Sequence, residues 1–427
     1  MKQKKFSCLA AAAVLALCFA SCSSDSDSGG TKSTLPDLSG AGTAGAPFLV
    51  SSAADLLKVG KGPDGNWTPA ALSAHYELTS DIDMSLVTDW QSIGFLDLGS
   101  FDEQNPDWSA TFTGSFDGAG FKISNLNINS TSSLSGLFGA VGPGGVVKNL
   151  GLDSSVDIKG KDFVGGIAAL NLGTIENCYV AGKVSSTDTD SNDHDKGCAG
   201  IAGASDRISS IKNCYVTGNI AGNHKVAGIV GDNGGTIESC YVTGDITGNG
   251  TTIGGVAGNH EGTMKNCYVT GNVTGDREVG GIAGKNGGGS AGTIKNCYAT
   301  GNVTVTNGPG GGIAGANRDR ASIENCVALN ATITTADLSG TGRVVGKNES
   351  SDPLSLSDNY ARDNMVMTVT GYSVVAGADK KDGADVSAGT LAGQYNNATF
   401  WSGLGWDLTN IWEMTTGAGN LPKLKGQ

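Results

Sequence analysis

Residues Val279 to Thr304 read VGGIAGKNGGGSAGTIKNCYATGNVT, and this stretch decides the fold because its core phrase recurs along the chain. The phrase is G-[IV]-A-G, followed by [IM]-[KE]-N-C-Y-[VA]-x-G. Counted from the Gly before the aliphatic residue, copies begin at Gly136, Gly166, Gly200, Gly228, Gly255, Gly281 and Gly312, and an imperfect copy begins at Arg343. The intervals of 30, 34, 28, 27, 26, 31 and 31 residues are typical of a solenoid, whose repeats bury their apolar faces against their neighbours.

The repeats predict an all-β fold, a right-handed parallel β-helix or solenoid of about eight coils with N- and C-terminal caps. Glycine fills 68 of 427 positions, but the collagen period is absent and apolar residues recur regularly, which argues against disorder. The chain carries 28 Lys and Arg against 41 Asp and Glu, a formal charge of −13. Because such a surface repels polyanions, nucleic acid is not an expected partner.

The N-terminus predicts export. A basic start, an apolar run from Cys8 to Phe19 and small residues form a signal peptide over 1–21. The four residues ending at Cys22, FASC, resemble a bacterial lipobox, which implies that Cys22 carries a lipid anchor. A plain secretory peptide with an incidental cysteine is the alternative. Ser23 in the next place favours the outer membrane. The acidic stretch from Ser23 to Asp27 resembles the surface-export signals of some outer-membrane lipoproteins, which implies exposure at the cell surface.

Composition divides the rest of the chain. Residues 22–46 lack apolar periodicity and are interpreted as a flexible tether. Residues 47–111 are assigned to an N-terminal cap, because an uncovered solenoid edge would expose unpaired strand groups. The solenoid is assigned to 112–370, and the tryptophan-rich residues 371–427 to a C-terminal cap over the other open end.

Alignment of the copies predicts side-chain direction. Cys178 aligns with Leu126 and Leu150, so this position points inward and the following Tyr points outward. Parallel Cβ vectors on stacked strands lie farther apart than the ~3.8 Å that disulfides prefer. We therefore predict a buried, reduced column formed by Cys178, Cys214, Cys240, Cys267, Cys297 and Cys326.

Polar columns make the register testable. The Asn before each Cys lies where strand alternation must slip, and Asn tolerates tight turns. This predicts a ladder, interrupted by Ser239, of Asn125, Asn149, Asn177, Asn213, Asn266, Asn296 and Asn325. A second row follows the G-x-x-G and contains Asn171, Asn233, Asn286, Asn317 and Asn348, with Ser205 and His260 as replacements. The outward residue before the first ladder mostly alternates in charge, which favours one register: Lys148, Glu176, Lys212, Glu238, Lys265, Lys295 and Glu324.

On these motifs the sequence resembles the GLUG-motif repeat family, and residues 136–139 read GLFG. The flanking phrases LTSDID at 78–83, FDGAG at 116–120 and the closing LPKL at 421–424 belong to the same resemblance. It implies an extracellular β-solenoid of the kind found in bacterial surface and secreted proteins. It brings no catalytic residues with it.

The outward tyrosines are the candidate ligand-binding residues. Aromatic side chains in a line can stack on sugar rings or on a partner protein, or can stack on one another and stabilise the sheet. The column contains Tyr179, Tyr215, Tyr241, Tyr268 and Tyr298.

An acidic insertion over 186–197 opens like a calcium loop, with Asp188, Asp190 and Asn192 as weak candidate ligands. The Gly expected in its sixth place and the Glu in its twelfth are absent, so we interpret it as a solvated loop and predict no metal site. Catalytic motifs are poor, since GGSAG at 288–292 lies in a Gly-rich turn. We predict no catalytic residues and no cofactor; whether the chain is an enzyme stays open, with a non-enzyme favoured.

The sequence thus predicts a monomeric outer-membrane lipoprotein whose solenoid is an adhesin-like or ligand-binding surface. Its expected partners are the membrane, through the lipid, and a glycan or a host or surface protein. Two alternatives remain. A β-helix polysaccharide lyase or glycoside hydrolase would be indicated by a carboxylate pair or Arg cluster on neighbouring coils. A structural spacer of a surface complex would need no binding site.

Overall fold

The computed structural model describes residues 34–99, 102, 105–188, 196–416 and 419–426. The predicted signal peptide 1–21, Cys22 and residues 22–33 of the tether lie outside the described residues. Within the described ranges, no helix is long and apolar enough to cross a membrane.

The body is a parallel β-solenoid, which confirms the all-β class. A full coil contributes one short strand to each of five parallel sheets, here called faces one to five in chain order. Face one contains Phe48–Val50, His75–Leu78, Ser115–Asp117, Val146–Lys148, Thr174–Glu176, Ser210–Lys212, Thr236–Glu238, Thr263–Lys265, Thr293–Lys295, Ser322–Glu324 and Leu356–Ser357. Face two contains Ile82–Asp83, Lys122–Ser124, Gly151–Leu152, Tyr179–Val180, Tyr215–Val216, Tyr241–Val242, Tyr268–Val269, Tyr298–Ala299, Val327–Ala328, Tyr360–Arg362 and Ala384–Val386.

The other three faces are shorter stacks. Face three contains Asn127–Asn129, Asp157–Gly160, Lys183–Ser186, Ile220–Gly222, Ile246–Gly248, Val273–Gly275, Val303–Val305, Thr332–Thr334 and Val366–Met367. Face four contains Leu134–Ser135, Phe163–Gly165, Cys198–Ala199, Val226–Ala227, Thr251–Gly254, Arg277–Gly280, Gly310–Gly311 and Thr341–Gly342. Face five contains Phe138–Val141, Ala168–Asn171, Ala202–Ser205, Val230–Asn233, Ala257–His260, Ala283–Asn286, Ala314–Asp319 and Val345–Ser350.

The remaining elements lie near the two ends of the chain. Helices Ala53–Leu56 and Pro69–Leu72 lie between the first strands, and helix Ala398–Gly403 precedes an antiparallel pair, Trp412–Met414 with Pro422–Leu424. Faces one and two hold eleven strands each, so the stack has more turns than the eight predicted. The extra strands include Phe48–Val50 and His75–Leu78, which pair in parallel although the sequence assigned them to a cap. Part of the predicted tether is also joined to the body, since the amide of Leu49 donates to the carbonyl of Ser39 at 2.7 Å.

Apolar columns fill the interior. The Ile of each repeat and the Cys three residues later are fully buried, as Ile175, Cys178, Ile211 and Cys214 illustrate. All seven described cysteines are free thiols, which agrees with the predicted reduced column. Burial raises the pKa of the Cys326 thiol well above its usual value, so this sulfur stays protonated and packs as a small apolar group.

The predicted slip between Ile and Cys is a left-handed residue in every coil. Asn149, Asn177 and Asn213 have φ of 52°, 54° and 52°, a region that Asn enters more readily than most L-residues. Their amides form the expected ladder: Asn177 Nδ2 donates to Asn149 Oδ1 at 3.0 Å, and Asn213 Nδ2 donates to Asn177 Oδ1 at 3.2 Å. Ser239 has φ of 55° without an amide to continue the ladder.

We expect Ser239→Asn to raise the free energy of unfolding by about 1 kcal/mol, because the new amide restores a side-chain hydrogen bond and suits the left-handed backbone. The matched control, Ser239→Ala, offers no side-chain hydrogen bond at the same φ and should be less stable than the wild type. Urea denaturation of the three proteins measures both changes. An Asn variant no more stable than the wild type would contradict the ladder's contribution.

The charge row on face one has the predicted register. In the strand register, Glu176 lies between Lys148 of one neighbouring coil and Lys212 of the other. The like-charged Lys265 and Lys295 lie beside each other. Ion pairs join Lys265 to Glu238 at 3.0 Å and Lys295 to Glu324 at 3.2 Å. Lys148 instead pairs with Asp117 at 3.3 Å. These exposed pairs contribute little stability each, but a one-residue shift would lose them together.

Candidate functional site

The five predicted tyrosines form one continuous ladder on face two. Each occupies the first position of its strand. The first four pair directly with the Tyr of the next coil, and Tyr298 pairs with Val327. Parallel strands in register therefore hold the rings one strand spacing apart. Neighbouring centroids are 5.0, 4.8, 5.1 and 5.1 Å apart, with interplanar angles of 6–10°.

Both ends of the ladder are covered. A Cβ on Gly151 would lie 2.3 Å from a ring carbon of Tyr179, so this ring lies directly over the glycine. At the other end, indole rings of Trp401 and Trp412 lie 5.7 and 6.2 Å from the ring of Tyr298. Because neighbouring rings cover the faces in between, the ladder offers its ring edges and hydroxyl groups to solvent.

The covering indoles lie in the predicted C-terminal cap, residues 371–427. Lys381 and Asp382 of this segment accept backbone hydrogen bonds from the last copy of the repeat, whereas the tryptophans pack sideways against face two. The hydroxyl of Tyr298 donates to the carbonyl of Pro422 at 2.7 Å, and the Trp406 indole donates to Asn325 O at 3.1 Å. Tyr268 and Tyr298 are consequently buried, with 8% and 3% exposure. Mutual ring stacking, the alternative considered from sequence, is therefore present.

Tyr179, Tyr215 and Tyr241 form the half-exposed remainder of the ladder, called here the open ladder. Burial raises the pKa of all three phenols, to about 12 for Tyr241, with the neighbouring Tyr215 as the second cause there. Their hydroxyl groups therefore stay protonated and able to donate hydrogen bonds at physiological pH.

Two consecutive coils carry the signature that the sequence suggested. Residues 249–274 and 275–306 match the sequence family described as the GLUG motif. They are called here the GLUG coils. The second contains the whole of the stretch Val279 to Thr304, and Tyr268 and Tyr298 lie one in each of the two GLUG coils.

Two curated relatives align with about a third of this chain. Halomucin from Haloquadratum walsbyi is 34% identical over 149 residues, which are 34% of this chain and 2% of halomucin. A candidate Gly-rich membrane protein from Evansella cellulosilytica is 31% identical over 144 residues, 33% of this chain and 15% of that protein. The aligned part of this chain thus spans only a small part of either relative.

One solved structure resembles the solenoid along most of its length. It is the crystal structure of a candidate immunoglobulin A1 protease from Bacteroides ovatus, and it covers 90% of this chain and 94% of its own. The sequence identity is 20% and the TM-score is 0.44.

Of the three weak calcium candidates, the structure describes only Asp188. Asp190 and Asn192 lie outside the described residues. Asp188 is buried, and its carboxylate lies 3.8 Å from Lys196 Nζ, which also pairs with Asp162 at 2.9 Å. An ammonium group beside a carboxylate competes with a cation for it. Among the parts of the chain that the structure describes, no cluster of His, Cys, Asp and Glu suited to a metal ion occurs.

A charged cleft on faces four and five was missed from sequence. It has a volume of ≈320 Å³ and begins at the GLUG coils. Its lining residues are Thr251, Arg277, Glu278, Pro309, Arg318, Asp337, Ser339 and Lys347. The cleft brings Arg residues and carboxylates together on neighbouring coils. Departure from the repeat was the available signal, since Arg277 lies directly beside Thr251 in the strand register.

His260 is a second feature whose consequence only the structure reveals. It replaces Asn in the second Asn row and is fully buried. Its Nδ1 lies 3.0 Å from Asn233 Nδ2, and its Nε2 lies 3.1 Å from the carbonyl of Thr293. Burial, opposed by backbone hydrogen bonds, lowers the pKa of His260 from 6.5 to about 4. The GLUG coil at 249–274 therefore holds a neutral imidazole at neutral pH.

Acid should destabilise the protein through His260. The unfolded chain binds a proton near pH 6.5 and the folded chain only near pH 4, so stability falls as pH drops through this window. The full loss is about 3 kcal/mol. His260→Asn, the residue that neighbouring coils use, should remove this slope in urea titrations between pH 7 and 4. An unchanged slope would show that other groups cause it.

Proposed function

We propose that this protein is a cell-surface lipoprotein with an adhesin-like role, in which a rigid solenoid binds an extracellular ligand on the open ladder. The observation that carries the proposal is the chain's own occupation of the same face. The C-terminal segment binds Tyr268 and Tyr298 through indole packing and a phenol-to-carbonyl hydrogen bond. The open ladder continues this column with the same groups, which are only partly buried, although Tyr241 still packs against the tryptophan cluster.

The chemistry favours a ligand that offers carbonyl or hydroxyl oxygens to the phenols and an apolar group to the ring edges. A polypeptide or a glycan can supply both. The ladder is rigid because each ring is held by its neighbours, so a ligand would order few side chains on binding. The name of one relative, a Gly-rich membrane protein, supports a cell-envelope location. The lipobox resemblance at Cys22 supports a lipid anchor.

The binding test uses the purified full chain on glycan and host-matrix arrays. Tyr179→Phe, Tyr215→Phe and Tyr241→Phe together keep the stacked rings but remove the three hydroxyl groups. We expect a loss of at least tenfold in binding to any ligand that the wild type captures. The matched control is Tyr360→Phe on the same face, which packs edge-on against Phe400. Binding that persists in the triple variant would reject the open ladder and favour the structural spacer.

The anchor test is independent of the ligand. Cys22→Ser should release the protein from the membrane fraction and abolish incorporation of a labelled fatty acid. Retention in the membrane with unchanged labelling would exclude Cys22 as the acylated residue.

The enzyme alternative keeps one supporting observation, the arginines and carboxylates of the charged cleft. A reducing-sugar release assay on acidic and neutral polysaccharides tests it directly. Product that accumulates with the wild type and not with Glu278→Gln would favour the enzyme over the adhesin.

A further inference from the structure

The charged cleft departs from the repeat in its strand lengths. Most face-five strands have four residues, whereas Ala314–Asp319 and Val345–Ser350 have six. The added residues carry Arg318 and Glu349, which are partners across the two strands. Stacking of the coils does not require the charges of Arg318 and Glu349. We therefore look for a function that these side chains serve.

The backbone beneath the cleft is strained. Lys225, Thr252 and Glu278 occupy corresponding positions in three successive coils, with φ of 47°, 70° and 51°. Left-handed backbone is uncommon for such residues and is an outlier for β-branched Thr. Strain of this kind concentrates at functional sites. Its local effect is to direct the hydroxyl of Thr252 to Glu278 Oε2 at 3.2 Å.

The carboxylates around the cleft already have partners. Glu278 accepts from Thr252 and from Arg318, whose Nη2 lies 2.5 Å from Oε1. Glu349 pairs with Arg318 at 3.1 Å and Lys347 at 2.6 Å. Asp337 accepts hydrogen bonds from the Ser339 hydroxyl at 2.8 Å and from backbone amides of its own turn.

The basic side chains Arg277 and Lys347 have hydrogen-bond donors that no partner in the cleft uses. Arg277 is 61% exposed, and its ion pair with Asp276, at 3.7 Å, is too long for a hydrogen bond. Its guanidinium carries five N–H donors in a planar fork that fits a carboxylate. Lys347 is half-exposed and uses one carboxylate for three donors. The remaining bonding capacity of the cleft is therefore mostly that of a donor for an anionic group.

We propose that this cleft binds an acidic saccharide, with Arg277 and Lys347 holding a sugar carboxylate. Pro309 offers an apolar surface to the ring, and the remaining lone pairs of Asp337 and Ser339 accept from sugar hydroxyls. The volume of ≈320 Å³ falls within the range of small-molecule sites. This inference is independent of the open ladder, which lies on a different face.

A sugar fits this charge pattern better than an acidic peptide. A uronic acid carries one carboxylate among several hydroxyl groups, matching a cleft that mixes spare donors with carboxylate acceptors. A run of Asp or Glu would place further carboxylates, without hydroxyls, beside Glu278, Asp337 and Glu349. The carboxylates of such a peptide would be repelled by these three carboxylates of the protein.

The test is calorimetric titration of the full chain with a short oligogalacturonate at low and at physiological salt. We expect binding that weakens as salt rises, and a loss of at least tenfold with Arg277→Gln or Lys347→Gln. Arg207→Gln is the matched control, because it removes the same charge from an Arg that does not line the cleft. Arg207 is exposed, and its guanidinium donates to the Ser290 hydroxyl. It should bind like the wild type.

Three outcomes would overturn the proposal. One is the absence of binding to the oligogalacturonate. The second is equal binding of a neutral oligosaccharide of the same length or of a polyglutamate peptide. The third is an equal loss with Arg207→Gln, which would indicate attraction by overall charge. Thermal melts of each variant establish that it is folded, and the tyrosine triple variant should bind the oligogalacturonate normally.

Discussion

Replacing Arg343 by Met is expected to lower the free energy of unfolding by about 3–5 kcal/mol. Arg343 is 1% exposed, and its guanidinium donates to the carbonyls of Arg362, Asp382 and Gly383 at 3.1–3.3 Å. It also pairs with Asp385 at 2.7 Å. Methionine fills similar length but leaves these buried acceptors without donors, and each unsatisfied group costs about 1–3 kcal/mol.

Urea denaturation followed by tryptophan fluorescence measures this loss, because three indoles lie in the C-terminal segment. Lys380→Met is the matched control: Lys380 lies in the same segment but is exposed and pairs only with its neighbour Asp379. Its effect should stay within about 0.5 kcal/mol. If the two variants lose the same stability, the guanidinium is not what holds the segment to the last coil.

Gly255→Ala should cost about 3 kcal/mol, near the upper end for overpacking. A Cβ at Gly255 would lie 2.2 Å from the carbonyl oxygen of Gly281 in the next coil and 2.6 Å from a methyl of Val269. The carbonyl oxygen belongs to the backbone of the neighbouring coil, so it can move only if that coil moves. The same overlap recurs along the column, at Gly166, Gly200, Gly228, Gly281 and Gly312.

Gly45→Ala is the matched control, since a Cβ there meets nothing within 4 Å. It should leave the urea midpoint unchanged or raise it slightly, by reducing the freedom of the unfolded chain. A Gly255→Ala midpoint equal to that of Gly45→Ala would refute the close approach of the coils.

The contacts of Gly255 and Arg343 explain why the last copy of the repeat phrase has Arg in place of Gly. Arg343 stands where every other copy has Gly, and the carbonyl of Arg343 is the atom that a Cβ on Gly312 would meet at 2.4 Å. No further copy of the repeat phrase follows Arg343, so its side chain does not meet the glycine of a next copy and can donate to the segment that closes the end. The irregular copy is thus part of the termination of the stack.

Repetition let the sequence predict much of the fold. Each copy faces the same neighbours, so aligned residues reveal which side chains point inward. This is why the buried cysteines, the left-handed Asn row and the paired charges were foreseen in their register. The number of turns was underestimated because strands such as His75–Leu78 join face one without carrying the repeat phrase.

By itself, then, the sequence determined the parallel stack and its columns, because periodic patterns encode contacts between consecutive coils. Only the tertiary structure decided what covers those columns. Pro422 meets Tyr298 across 124 residues, and the charged cleft gathers side chains from several coils and from irregular turns. Such contacts join segments that share no period, so an alignment of the repeats shows where a residue departs from the pattern but not what that residue contacts.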